Sequence, residues 1–349
     1  MGAPGLRLGS RAVHLSSLVA DLVTVTREGL YCPAGDFHID PWLPVGRAVL
    51  THAHADHARP GSKAYLCARP GLEIARHRLP EASIEGLGYG ERRRMGEVDL
   101  SLHPAGHVLG SAQIRLQHRG QVWVVSGDYK RVPDPTCAPF EPLRADVLVT
   151  EATFGVPVFK WDPAETVVQD ILRWWEANRN LGRPSVLFTY VLGKAQRILA
   201  ELARWTSSRV FLHGAVAGMT DIFRAAGVAM LPTERVAETA RGRDFAGELV
   251  LAPITARGTP WMRRFGDASQ ALASGFMRVR GERRRRTLER GFALSDHADW
   301  PALLRTVEES GASRVLVTHG YTAPFARALR ERGLDAAELP TQFEGEPQA

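Results

Sequence analysis

The chain is short of the residues that staple or anchor a protein. It has three cysteines in 349 residues, Cys32, Cys67 and Cys137, and none forms a Cys-x-x-Cys pair. An odd, scattered set builds no disulfide framework, so a reducing, cytoplasmic setting is expected. No apolar run approaches the roughly 20 residues of a membrane-spanning helix. The first residues carry Arg7 and Arg11 without the apolar core of a secretory leader, and Leu6 stands where a myristoylation signal has Ser or Thr. Internal repeats and low-complexity tracts are missing as well. What is left is a globular chain with a hydrophobic fraction of 44% and a charged fraction of 23%. Its length fits one large or two medium domains.

Acid is also in the minority. Lys and Arg number 44 against 38 Asp and Glu, a formal net charge of +6. A basic surface favours polyanions such as nucleic acid. Two runs concentrate the charge, Arg92-Arg93-Arg94 and Arg283-Arg284-Arg285-Arg286. Most such runs are solvated faces, so they support a polyanion partner only weakly.

Histidine is scarce too, with 12 in the chain, yet three of them and an aspartate fall in six positions: His52-Ala53-His54-Ala55-Asp56-His57. The cluster directly follows the apolar run Ala48-Val49-Leu50. Imidazole nitrogens and carboxylate oxygens suit zinc and similar cations. Three other apolar runs end in the same way. Val122 to Val125 stops at Ser126-Gly127-Asp128, Val147 to Val149 at Thr150-Glu151, and Val315 to Val317 at Thr318-His319-Gly320. Each reads as a buried strand that delivers a ligand-type side chain at its end. His107, between Gly106 and Gly110, is a further candidate. From about residue 160 to 290 helical patterns alternate with strands, and no metal-type motif falls there. Expected helices cover Ala164 to Asn178, Lys194 to Trp205 and Thr220 to Ala226, and expected strands cover 186–188 and 210–212. This α/β alternation suggests an inserted domain around a parallel sheet.

The order Asp40, His52-x-His54-x-Asp56-His57, His107, Asp128 resembles the metallo-β-lactamase superfamily. Three later segments narrow the resemblance. Glu151 in Thr-Glu-Ala-Thr-Phe-Gly, His297 in Ser-Asp-His-Ala-Asp and His319 in Thr-His-Gly resemble motifs A, B and C of the β-CASP nucleases. The segment Gly29 to Trp42, joined to the histidine cluster, is similar to the bacterial DNA-ligase-associated exonucleases. Histidine at motif C is the pattern of RNA-processing members, whereas DNA-processing relatives often have valine. The resemblance implies an α/β fold, a metallo-β-lactamase αββα sandwich with an inserted β-CASP domain. The sandwich would take residues 1–157 and 291–349, and the insert residues 158–290.

The resemblance also implies roles. His52, His54 and His107 would hold one divalent ion, and Asp56, His57 and His319 a second, with Asp128 bridging. Zinc is the first choice of ion and manganese the alternative. Asp40 and Glu151 would orient ligands and His297, and His297 would be the general acid. Two such ions activate a water and clamp a phosphodiester. Lys130, Lys194, Arg257, Arg283 and Arg284 are candidate substrate contacts. The expected activity is a DNA exonuclease working 5′ to 3′ in repair beside a partner DNA ligase. An RNA nuclease of the same fold is the alternative, and a small-molecule metallohydrolase a more distant one. No membrane partner is expected.

Overall fold

The computed structural model describes residues 21–279 and 288–340. Arg283 and Arg284 lie outside the described residues. Within them, two sheets pack face to face and a third stands apart.

The first sheet runs in sequence order: β1 (Thr24–Thr26), β2 (Gly29–Cys32), β3 (Phe37–Ile39), β4 (Arg47–Val49), β5 (Ala64–Ala68) and β6 (Ile84–Leu87). The second holds β7 (Arg92–Met95), β8 (Val98–Pro104), β9 (Ala112–His118), β10 (Gln121–Val125), β11 (Val147–Ala152), β18 (Arg314–Gly320) and β19 (Asp335–Glu338). Its order is β19-β18-β11-β10-β9-β8-β7. Side chains of a strand alternate between faces, and the alternation explains the layering. Val49 and Leu66 point inward, with Ile114, Trp123, Val125 and Val149, to make the core between the two sheets. Their neighbours Ala48, Leu50, Tyr65 and Cys67 point the other way, onto helix α1 (Leu72–Arg78). On the far side, Val124, Leu148, Val315 and Val317 pack against α5 (Trp300–Ser310) and α6 (Thr322–Arg330). The result is the expected helix-sheet-sheet-helix sandwich.

The run Arg92 to Arg94 forms β7, an edge strand. Arg93 pairs with Glu85 and Arg94 with Asp99 at 3.2 Å. Charge on an edge deters pairing with other chains, which gives this run a structural reason.

The third sheet is wholly parallel. It contains β12 (Ser185–Phe188), β13 (Val210–Leu212), β14 (Thr233–Arg235), β15 (Leu249–Ala252), β16 (Ser269–Ala273) and β17 (Arg290–Phe292), in the order β14-β13-β15-β12-β16-β17. Leu187, Leu249 and Leu251 face α2 (Ala164–Asn180), α3 (Lys194–Leu202) and α4 (Gly214–Ala225). Val186, Phe188 and Val250 face a layer of short 3₁₀ turns. Trp174 and Trp175 are core residues of α2. Helix α4 begins at Gly214, six residues before the periodicity of Thr220 to Ala226 suggests. His213 caps it by accepting from the Ala215 amide at 3.2 Å, a signal that composition hides. Met219 and Phe223 of α4 also enter the core under α1, so the third sheet is tied to the sandwich.

Candidate metal centre

The candidate residues meet at one end of the sandwich, at the ends of strands. Asp40 follows β3, His52 to His57 follow β4, His107 lies between β8 and β9, and Asp128 follows β10. Glu151 is the last residue but one of β11 and His319 the last but one of β18. The close approach has a backbone cause at Gly127, whose φ is +56°. A Cβ there would lie 2.5 Å from the Cβ of Thr51, so only glycine lets the Asp128 turn sit against the histidine loop.

Each imidazole is held by its outer nitrogen. His54 Nε2 donates to the Leu192 carbonyl at 3.1 Å, and His107 Nδ1 donates to the Asp296 carbonyl at 2.8 Å. His57 Nδ1 meets Asp40 Oδ2 at 2.7 Å. Asp40 is itself fixed, with Oδ1 accepting from the Thr51 amide at 2.8 Å and Oδ2 from the Thr51 hydroxyl at 2.5 Å. Such partners set the tautomer and aim of a ligand. Here they leave His54 Nδ1 and His107 Nε2 facing each other at 3.1 Å, with His52 Nε2 at 3.0 Å from His54 Nδ1. A carbonyl cannot donate, so both outer nitrogens carry the proton and the inner ones carry lone pairs. Burial pushes His52 and His107 well below the usual imidazole value, and neighbouring imidazoles push them further. Bare nitrogens that close repel one another unless a cation lies between them. The donor atoms of His52, His54, His107 and Asp128 all fall within 4.8 Å of one another, so this set fits a metal ion.

A second set adjoins the first through Asp128. Asp128 Oδ2 lies 3.6 Å from His52 Nε2, 3.8 Å from His107 Nε2 and 3.5 Å from His57 Nε2. His57 Nε2 and Asp56 Oδ1 are buried and have no hydrogen-bond partner. Orphaned buried polar atoms are rare in folded proteins and call for an ion or water. The His319 ring stacks on His57 at 5.2 Å and lines the same cavity as Asp56. Burial, then the charge of His57, lowers its basicity. Asp128, Glu151 and His297 also converge within 4.8 Å. That group is satisfied differently: His297 Nδ1 lies 3.0 Å from Glu151 Oε2, and Glu151 Oε1 accepts from the Tyr129 amide at 2.7 Å.

The candidate substrate residues separate. Lys194 opens α3, is buried and lines the cavity, with Nζ 3.8 Å from Asp296 Oδ2. Lys130 does not line it. Its ammonium is buried against Asp134, and burial, then Arg197, pulls its pKa down to about 8. Proximity to Asp128 in sequence suggested a phosphate contact, but the chain turns the side chain into the protein. Arg257 follows β15 and lines a separate cleft with Ile254, Gly258 and Gln270. Three further cavity residues, Thr153, Tyr190 and Asp296, carried no separate signal.

No family model matches the chain. It is 34% identical over 314 residues to a protein named "Probable DNA ligase" from Opitutus terrae, a match covering 88% of this chain and 30% of that protein. It is 29% identical over 218 residues to Ribonuclease TTHA0252 of Thermus thermophilus, covering 52% and 49% respectively. Cleavage and polyadenylation specificity factor 73 of Drosophila melanogaster is 26% identical over 205 residues, covering 51% and 28%. The chain belongs to the β-CASP branch of the metallo-β-lactamase fold family. This β-CASP chain spans less than half the length of each of these relatives. Among solved structures, a protein of unknown function from Enterococcus faecalis V583 shares the fold, with a TM-score of 0.59 and 14% identity over 85% of this chain and 80% of that one. In the β-CASP chain, no helix among the described residues is long and apolar enough to cross a membrane.

Proposed function

We propose that this protein is a metal-dependent DNA exonuclease that hydrolyses phosphodiester bonds from 5′ to 3′, in cytoplasmic repair with a partner DNA ligase. The observation that carries the metal-dependent chemistry is the set of bare, converging imidazole nitrogens around Asp128. The proposed ligands are His52, His54 and His107 for one ion, Asp56, His57 and His319 for the other, and Asp128 for both. We take the sandwich as residues 1–157 and 291–349, and the insert as residues 158–290. When bound, two such ions supply an activated water and a clamp for the phosphate, with zinc first and manganese second.

The chain's own residues do the rest. Asp40 keeps His57 Nε2 aimed inward. Glu151 fixes the Nδ1 side of the His297 ring, and that ring lines the cavity, where it can give a proton to the leaving oxygen. Lys194 brings a buried positive charge to the cavity, suited to a phosphate oxygen. The net charge of +6 favours a polyanionic substrate.

DNA is preferred because a stretch similar to 88% of this chain occurs within a protein named as a DNA ligase. Ligation and end trimming act on the same strand ends. RNA is the second reading, supported by His319 in the cavity and by relatives named as ribonucleases. One digestion panel tests both: end-labelled single-stranded and duplex DNA and matching RNA, with and without a 5′ phosphate, in zinc, manganese and magnesium. Processive loss of the 5′ label from DNA is expected. RNA cleavage without DNA cleavage would overturn the assignment.

A further inference from the structure

The metal centre accounts for the phosphate but leaves the aromatic cluster beside it without a role. Phe154 follows the cavity residue Thr153, and its ring lies 5.9 Å from that of His297. Phe159 and Trp161 pack on Phe154 at 4.7 and 4.8 Å, and Trp161 Nε1 donates to the His297 carbonyl at 2.9 Å. Tyr321 ends the series, 5.8 Å from Phe159. Exposure rises outward along it. Phe154 and Phe159 are buried, Trp161 is half-buried, and Tyr321 is 39% exposed. Only six large hydrophobic residues are exposed among the described residues, and Tyr321 is one of them.

The position of Tyr321 is set by the cavity wall. His319 and Gly320 both have left-handed φ, +57° and +75°. A Cβ on Gly320 would lie 2.3 Å from the Cα of Thr153, so the turn is seated directly on a lining residue. The Tyr321 amide then donates to the Ala152 carbonyl at 2.8 Å, and α6 begins at the next residue. An aromatic ring is thus held two residues beyond His319, on a turn packed against the cavity residue Thr153. A cation stands in the same segment as Phe159. Lys160 is exposed between Phe159 and Trp161, and the nearby acid Asp162 is taken up by Arg278 at 2.9 Å.

We propose that Tyr321, backed by Phe159, is a stacking platform for the nucleobase next to the scissile phosphate, and that it selects unpaired strand ends. This rests on the nuclease reading and adds the form of the substrate. Every base has a π-face, so such a platform grips a single strand without reading its sequence. A base inside a duplex has both faces covered and cannot use it. Lys160 supplies a cation for the flanking phosphate.

The test pairs a protein change with a substrate change. The metal-loaded full chain, Tyr321→Ala and Tyr321→Phe are each given short single-stranded DNA, intact or with one abasic nucleotide on either side of the scissile phosphate. Metal content and melting temperature of each variant report that it is folded. In the native chain the abasic change should lower kcat/KM about tenfold, the worth of one stacked base. Tyr321→Phe should keep that sensitivity. Tyr321→Ala should lose a similar factor on intact DNA and no longer distinguish the abasic strand. If Tyr321→Ala discriminates as strongly as the native chain, or the native chain ignores the missing base, the platform is wrong while the nuclease reading stands. If the native chain cuts neither these strands nor bis(4-nitrophenyl) phosphate, the nuclease reading fails and this inference fails with it.

Discussion

Arg197 Nη1 donates to Asp296 Oδ1 at 3.0 Å, a contact between helix α3 and the segment that carries His297, 99 positions along the chain. The same nitrogen donates to the Ser295 carbonyl at 2.7 Å. Arg197 is 3% exposed and Asp296 4%. Burial pushes the Asp296 carboxyl up, yet Lys194, Lys130 and Arg197 together hold it below the ordinary carboxylate range. Since the Asp296 carbonyl receives His107 Nδ1, Arg197 indirectly holds a proposed ligand. Truncating one partner of a buried pair strands the other charge and costs about 3–5 kcal/mol. Because Lys194 stays 3.8 Å from Asp296, Arg197→Met should lose an amount at or below the lower end of that range in a chemical denaturation series. Arg197→Lys should recover only part, because its side chain is one atom shorter and lacks the Nε that lies 3.7 Å from Asp134 Oδ2. A denaturation midpoint equal to the native one in Arg197→Met would remove the role.

Asp40 is the corresponding anchor on the other side of the site. Its carboxylate ties Thr51 and His57 together, and its φ of +43° is unusual for a residue with a side chain. Asp40→Asn keeps the shape but cannot accept at both oxygens. Outer partners of metal-bound histidines are worth about 10–100-fold in affinity. Chelator competition should show a loss of that size for one of the two ions and a smaller effect on the other. Native affinity for both ions in the variant would exclude the anchoring role.

His297 offers a sharper separation of metal binding from turnover. Its Nδ1 is engaged by Glu151, so replacing it leaves the converging nitrogens of His52, His54 and His107 intact. His297→Ala should keep its metal, measured by elemental analysis, while turnover of DNA falls about 10²–10⁴-fold, the usual share of a general acid. Glu151→Gln should fall in the same direction by less. Native turnover in His297→Ala would end the assignment of the acid.

How legible this was depends on what kind of interaction is involved. The histidine cluster and the strand-end acids stand out because a ligand-rich hexapeptide breaks an apolar run, and β4, β10, β11 and β18 lie where those runs predict. The pairing of His297 with Glu151 joins residues 146 apart and came only through resemblance. The ionic junction of Lys130, Asp134, Arg197 and Asp296 had no signal at all. Arg197 looks like a solvated helical arginine, but all nine residues of α3 are buried, so its partners are set by packing between sheets rather than by helical period. Lys130 misled for the same reason. Tyr321 had no periodicity to mark it, and its place beyond His319 depends on the backbone turn at 319–320.

The two proposed ion sites should differ in how many protons they release. Burial favours a neutral His57, but Asp128, Asp56 and Asp40 outweigh it and hold its pKa well above the usual 6.5. His52 and His107 are held well below that value, by burial first. At pH 7 the metal-free chain therefore carries a proton on His57 and none to displace on His52 or His107. An ion that takes His57 Nε2 must expel about one proton, and its affinity should fall about tenfold per pH unit below the folded pKa of His57. An ion between His52, His54 and His107 should show no such slope near neutrality. The same shift fixes the stability of the metal-free fold. A raised imidazole pKa contributes stability that is fully present below about 6.5 and is lost as pH rises through the folded value. The metal-free chain should thus weaken toward alkaline pH, whereas the loaded chain, having already given up that proton, should not follow it. Calorimetric titration in two buffers of different ionisation heat counts the protons directly. Two binding events with no proton release from either would mean that His57 is not a ligand.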